Sequence, residues 1–201
     1  MPFTVEIPED HTLQLRFARR LSLQEFAEFC ARHPELHVER EPDGQINVMS
    51  PVHLLSGRFE SIVNFYLSLY LRENRLGEAY SASTGFTLPD GSVRSADAAF
   101  VSNQQLERLS LAEQRSFAKV VPEFVIEIRS DTDRIGQLQT KMKDTWIGNG
   151  VRLAWLIDPK NEVTYINRID GSEQVVAGFD KQLSGEDVLP GFVFDLKVLN
   201  V

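Results

Sequence analysis

The chain is poor in cysteine, histidine and uninterrupted apolar sequence, and each scarcity removes a class of function. Cys30 is the only cysteine among 201 residues. That excludes an intramolecular disulfide and any cysteine-rich zinc site; within the apolar helical pattern of Phe26, Ala27 and Phe29, Cys30 reads as a core thiol. The histidines, His11, His33, His37 and His53, are scattered among turns and element ends. No HExxH pairing occurs, which argues against a zinc hydrolase. No apolar segment is long enough to span a bilayer. The first residues lack a basic region followed by an apolar run, so no signal peptide is expected and the cytoplasm is the expected compartment. A GxxxxGK[ST] loop and a GxGxxG turn are both missing, leaving nucleotide hydrolysis and dinucleotide binding without support. Ser56-Gly57 and Ser83-Thr84-Gly85 do not make a GxSxG elbow.

Positive charge is also scarce. Lysine and arginine number 21 against 29 aspartates and glutamates, a formal net charge of −8. Non-specific nucleic-acid affinity comes from lysines and arginines neutralising phosphates, so a protein that coats nucleic acid is disfavoured. A nuclease is not: its metal site needs acids, and a local basic patch can lie on an acidic protein. With 42% hydrophobic and 25% charged residues, the composition is that of a globular chain able to build a substantial core. No repeat or long linker divides it. The expectation is one α/β domain over residues 1–201, with a central sheet of mixed direction.

Local patterns give the element order. Leu13, Leu15 and Phe17 alternate as in a strand. Ser22-Leu23-Gln24-Glu25 is a capping box opening a helix that Pro34 ends. Leu36–Arg40 and Gln45–Met49 flank Pro42-Asp43-Gly44 as a hairpin. Apolar residues at 55, 59, 62, 66 and 69 predict the longest helix, over 52–75, ending at Gly77. Strands are expected at Glu78–Ser83, Gly85–Leu88 and Val93–Val101, then a short helix and loop over 103–118. A strand at 123–129, a helix at 133–149 closed by Gly148 and Gly150, and strands at 152–157 and 162–168 follow. Gln174–Phe179 and Phe192–Leu196 read as short edge strands.

The organising stretch is Pro122–Pro159, a strand–helix–strand unit. Its first strand carries one acid, Glu127, in an apolar run, and a buried charge needs a partner. Alternation puts Val125, Glu127 and Arg129 on one face. On the earlier strand Ser95, Asp97 and Ala99 share a face, opposite Ala96, Ala98 and Phe100. Two carboxylates brought together repel, and a divalent cation relieves that repulsion; Mg²⁺ typically uses one or two carboxylates with waters and phosphate oxygens. The ordinary alternative is an ion pair of Glu127 with Arg129 or Arg94, with Asp97 capping a turn. Helix 133–149 has its apolar stripe at Ile135, Leu138, Met142 and Trp146. Lys141 and Lys143 flank that stripe on opposite sides, and periodicity does not choose between them; a solvated surface lysine is the ordinary role for either.

These residues resemble the Uma-type restriction endonuclease family of the PD-(D/E)xK nuclease superfamily. The segments carrying the resemblance are SASTGFTLPDGSVRSADAAFV (81–101), PEFVIEIRSDTDR (122–134), KMKDTWIGNGVRLAWLIDP (141–159) and VLPGFVFDL (188–196). The resemblance implies a restriction-endonuclease-like core, a mixed four-stranded sheet flanked by helices, preceded by the N-terminal helix and hairpin. It implies Mg²⁺, with Mn²⁺ as a substitute, bound by Asp97 and Glu127. Departures are visible. Ala96 replaces the usual proline before the first aspartate. Arg129 replaces the usual lysine after the second acid, and an arginine does not deprotonate in practice; it is left to grip a substrate phosphate. The resemblance moves the lysine role to the Lys141-Met142 pair, but the spacing from Lys141 to Gly150 runs one residue long, which keeps Lys143 as the alternate. Glu39 matches a recurrent family glutamate, and Glu60 stands where related enzymes sometimes supply an extra acid.

Two readings follow. In the first the protein is a Mg²⁺-dependent endonuclease acting on DNA, with catalytic Asp97, Glu127 and Lys141, and double-strand cutting would favour a homodimer. In the second it is a nuclease-like fold without catalysis that binds nucleic acid or protein.

Overall fold

All five side chains of the run Phe124–Ile128 are buried, as in a strand covered on both faces. The computed structural model describes residues 19–200; the alternation of Leu13, Leu15 and Phe17 lies outside them. In chain order the first elements are α1 (Leu23–Arg32), β1 (His37–Arg40), β2 (Ile46–Met49), α2 (Leu54–Asn74), β3 (Gly77–Ser81), β4 (Phe86–Thr87) and β5 (Val93–Arg94). Next come β6 (Ala98–Ser102), α3 (Asn103–Leu106), α4 (Leu111–Gln114), β7 (Phe124–Ile128) and α5 (Ile135–Thr140). A π-helical turn, Lys141–Trp146, and a 3₁₀ turn, Ile147–Asn149, extend α5. The chain closes with β8 (Leu153–Asp158), β9 (Val163–Arg168), β10 (Glu173–Ala177), β11 (Gln182–Ser184), β12 (Val193–Asp195) and a 3₁₀ turn, Leu196–Leu199.

The central sheet has the order β10-β9-β8-β7-β6-β3. Among the described residues only β7 and β8 run parallel in this sheet; its other pairs are antiparallel. A parallel pair needs a crossover, and the helical stretch 135–149 supplies it. The hairpin β1–β2 joins β5 and β4 in a second sheet, order β2-β1-β5-β4. The two faces of the central sheet build two cores. Phe100, Phe124, Ile126, Trp155 and Ile157 pack on Phe59, Val63, Leu67 and Leu71 of α2 and on the C-terminal ribbon. Ala99, Val125, Ala154 and Leu156 pack on Met142 and Trp146. The result is a mixed α/β fold whose mixed sheet is flanked by helices, as the sequence predicts, though with six strands rather than four.

Several local expectations change. Helix α2 buries Phe59, Val63, Leu67 and Leu71, whereas Leu55, Tyr66 and Leu69 of the expected stripe are exposed. This helix carries apolar residues on both sides, so its period is ambiguous in sequence. It ends at Asn74, where Arg75 takes the left-handed cap at φ 54° and Gly77 already opens β3. The expected strand Val93–Val101 breaks at 95–97. Ala96 therefore packs with Ala99 and Val101 instead of with Ala98 and Phe100. Residues 103–118 hold two short helices. Val193–Asp195 pairs with Gln182–Ser184 in a separate ribbon. The capping box at Ser22 and Glu25 forms as expected.

The burial of α2 is testable by urea unfolding. Leu67→Ala should cost about 2–5 kcal/mol, the usual range for a large-to-small core change. Leu69→Ala, at an exposed position, should stay within about 0.5 kcal/mol. Equal losses at the two sites would contradict the buried face described above.

Candidate active site

The main sheet opens a cleft where β6 begins and β7 ends. Ala98 pairs with Ile126 in the antiparallel β6–β7 register, so Asp97, one residue earlier, falls beside Glu127. The Asp97 Oδ2 accepts the Ile128 N–H at 2.6 Å. This holds Asp97 against β7 after its own strand has bent away. Asn64 on α2 donates from Nδ2 to the Asp97 carbonyl at 2.7 Å, fixing the same bend from the other side.

Glu127 shares its sheet face with Val125 and meets the helical crossover. Lys141 Nζ lies 2.8 Å from Glu127 Oε1, and Trp146 Nε1 donates to that same oxygen at 2.7 Å. Among the described residues Glu127 Oε2 and Asp97 Oδ1 receive no hydrogen bond. Asp97, Glu127, Ile128, Lys141 and Glu60 together line a cavity of about 340 Å³.

Charge in this cleft is finely opposed. Burial, then the neighbouring Glu127 carboxylate, push the Asp97 carboxyl well above its ordinary range, against the pull of the Ile128 N–H. Burial also raises Glu127, with Lys141 working against it. Glu60 is raised by burial and by Glu127, with His37 in opposition. For Lys141, burial disfavours the charge, but Glu127, Glu39 and Asp97 outweigh it and hold the ammonium above its ordinary range. Glu39 is buried, and its charge is kept by Lys141 and Arg94 against that burial.

The sequence-derived candidates therefore separate. Asp97, Glu127, Lys141 and Glu60 come together in the cavity. Glu39 is held by Arg94 Nη1 at 3.0 Å and by the Ser95 N–H at 3.0 Å; it lies 3.8 Å from Lys141 Nζ. Expected as an accessory acid, it does not line the cavity and stands beside the lysine instead. Lys143 is half-exposed and pairs with Glu173 at 3.1 Å, away from the cleft. Arg129 does not line the cavity. Its guanidinium is bound to Asp158 Oδ2 at 2.7 Å and to the Asp133 carbonyl at 3.2 Å, so the arginine expected to grip a substrate phosphate pairs here with a carboxylate. Arg94 likewise pairs with Glu39 and Glu41, so neither arginine serves Glu127.

Trp146 escaped the sequence reading, which placed it in the apolar stripe. A buried indole N–H generally finds an acceptor, and that rule was the available signal. The sequence reading put a helix over 133–149 and did not foresee the π-turn at Lys141–Trp146. Gly150 closes the crossover at φ 104°, a conformation that favours glycine.

No group of three or more His, Cys, Asp or Glu side chains forms a metal cluster among the described residues. The site fits a hard cation all the same. Its donors are carboxylate oxygens, two of them lack hydrogen bonds, and Mg²⁺ often takes only one or two carboxylates from a protein.

The architecture, a mixed central sheet flanked by helices, is shared with a solved structure. The crystal structure of a putative nuclease belonging to DUF820 from Anabaena variabilis superposes with a TM-score of 0.71, at 17% identity, over 89% of this chain and 97% of that one. No curated protein matches the chain. The family model described as Uma2, putative restriction endonuclease, matches residues 23–198. The chain belongs to this family.

Burying Asp97 beside Glu127 has a measurable consequence. A carboxyl whose folded pKa is raised binds its proton more tightly in the folded state. Its contribution to stability is complete below the unfolded value, about 3.9 for aspartate, and is lost as pH rises through the folded value. Asp97→Asn removes that loss and keeps an oxygen for the Ile128 N–H. Without divalent metal, the variant should melt roughly 2–4 °C above wild type at pH 7.5, the shift that about 1 kcal/mol makes in a domain of this size. The gain should fade towards pH 3.5. A variant less stable than wild type at pH 7.5 would contradict the opposed charges described here.

Proposed function

We propose that the protein is a metal-dependent endonuclease that hydrolyses phosphodiester bonds in DNA, in the manner of the PD-(D/E)xK nucleases. The observation that carries this reading is the meeting of Asp97, Glu127 and the Lys141 ammonium at one cavity, with an unpartnered oxygen on each acid. Asp97 and Glu127 would hold Mg²⁺, or Mn²⁺ in its place. When bound, such an ion supplies polarisation of the scissile phosphate and a lowered pKa for its water.

The remaining work falls to the chain itself. The Ile128 N–H fixes one oxygen of Asp97, and Lys141 with Trp146 fixes one oxygen of Glu127. Each acid therefore offers its second oxygen in a set direction, without the cost of ordering it on binding. In the metal-free protein Glu127, Glu39 and Asp97 favour the charged form of Lys141. Its place in the reaction is to donate hydrogen bonds and positive charge to the attacking oxygen or to the phosphate as negative charge grows there. Arg129, tied to Asp158, stiffens the loop after β7 rather than touching substrate. A two-fold homodimer would give each strand of a duplex its own site.

Cleavage of plasmid DNA in Mg²⁺ and Mn²⁺ tests the reading. Glu127→Gln should abolish cutting, because the amide keeps the shape but loses the charge a hard cation needs. Lys141→Ala should lower single-turnover rates by about 100-fold, the usual loss for one transition-state donor, with metal affinity unchanged or higher. Lys143→Ala should be close to neutral. Wild-type protein that binds DNA yet cuts nothing in either metal would favour the non-catalytic module instead. Equal activity in wild type and Glu127→Gln would overturn the assignment of the site.

A further inference from the structure

In an ordinary α-helix, two residues five apart point about 140° away from each other, at roughly 100° per residue. Lys141 and Trp146 are five apart, yet both reach Glu127 Oε1, at 2.8 Å and 2.7 Å. The π-turn is what permits this. Its hydrogen bonds run from i to i+5 and so bring those positions onto one face. The ammonium also lies 5.8 Å from the centre of the indole ring, within reach of a cation–π contact. We infer that Trp146 is a positioning residue for Glu127: the π-turn and its indole N–H lock one carboxylate oxygen and so turn the other, Oε2, towards the cavity.

Geometry favours this over packing alone. Met142 is as fully buried as Trp146 in the same core, and an apolar side chain would fill that volume without an N–H. The second tryptophan makes the contrast. Trp155 is equally buried, on the opposite face of the sheet, and its Nε1 finds no hydrogen-bond partner among the described residues. One indole is therefore tied to the acid and the other is silent, within one chain. The inference rests on the nuclease reading for what Oε2 does, but the indole–carboxylate bond stands apart from it.

The protein contains two tryptophans, so ¹⁵N spectra of the metal-free protein show two indole signals, assigned with Trp155→Phe. The Trp146 signal should lie downfield, exchange slowly with solvent, and move in Glu127→Gln while the Trp155 signal stays in place. Mn²⁺ should broaden the Trp146 signal first. Trp146→Phe should weaken Mn²⁺ binding by about 10–100-fold, the range seen when a residue orienting a metal ligand is removed, and should lower kcat with little change in KM. A Trp146 signal indifferent to Glu127→Gln would overturn the inference whether or not Trp146→Phe folds. So would a folded Trp146→Phe protein that binds Mn²⁺ within twofold of wild type. If the indole signal moves as expected but the wild type neither binds Mn²⁺ nor cuts DNA, the nuclease reading falls while the bond between Trp146 and Glu127 remains.

Discussion

Glu127 is a charge placed where the chain has little means to hydrate it, in one of the two central strands of the sheet with both faces covered. The ammonium of Lys141 is what makes that placement tolerable. Removing one partner of such a buried pair leaves an uncompensated charge, which costs more than the pair itself contributes. The rest of the cleft is arranged around the pair. Glu39 stands behind the lysine and raises its affinity for a proton, and Arg94 in turn keeps Glu39 charged. A row of alternating charges thus runs from Glu41 through Arg94, Glu39 and Lys141 to Glu127. It ties the small sheet carrying the N-terminal hairpin to the main sheet, so the hairpin is part of the site's support.

Asp97 has no such cation of its own. It gains a backbone N–H from β7, and a strand that stops just before Ala98 gives its side chain room to turn. The two acids are therefore held differently, Glu127 by side chains and Asp97 by main chain. Stability has been spent at this spot, as is common where a site must hold like charges close together.

Much of this was legible in the chain. Periodicity of two and the Pro122–Pro159 pattern located β7, β8 and the crossover, because strands buried on both faces leave near-continuous apolar runs. Asp97 and Glu127 stood out as single acids in such runs. Other features were not legible, each for a physical reason. The long helix α2 is apolar on two sides, so Leu69 was read into the inward stripe while the buried Leu67 was left out of it. Arg129 follows Glu127 by two residues and looked like its companion, but Asp158 on the adjoining strand captures it, and pairing across strands is invisible to a linear reading. Glu39 is remote from Lys141 in sequence and meets it only once the hairpin docks. Lys141 and Lys143 could not be separated by phase, since the phase of the helix changes where the π-turn begins.

That change of phase matters for how the chain can vary. In a regular helix one added residue rotates everything beyond it by about 100°, which here would swing the entry to β8 out of line. A single widened turn confines the disturbance to the exposed stretch around Lys143 and Asp144, and Gly150 and Val151 keep their places. Length can thus drift by one residue at this point while the reactive end of the helix and the strand it feeds stay registered.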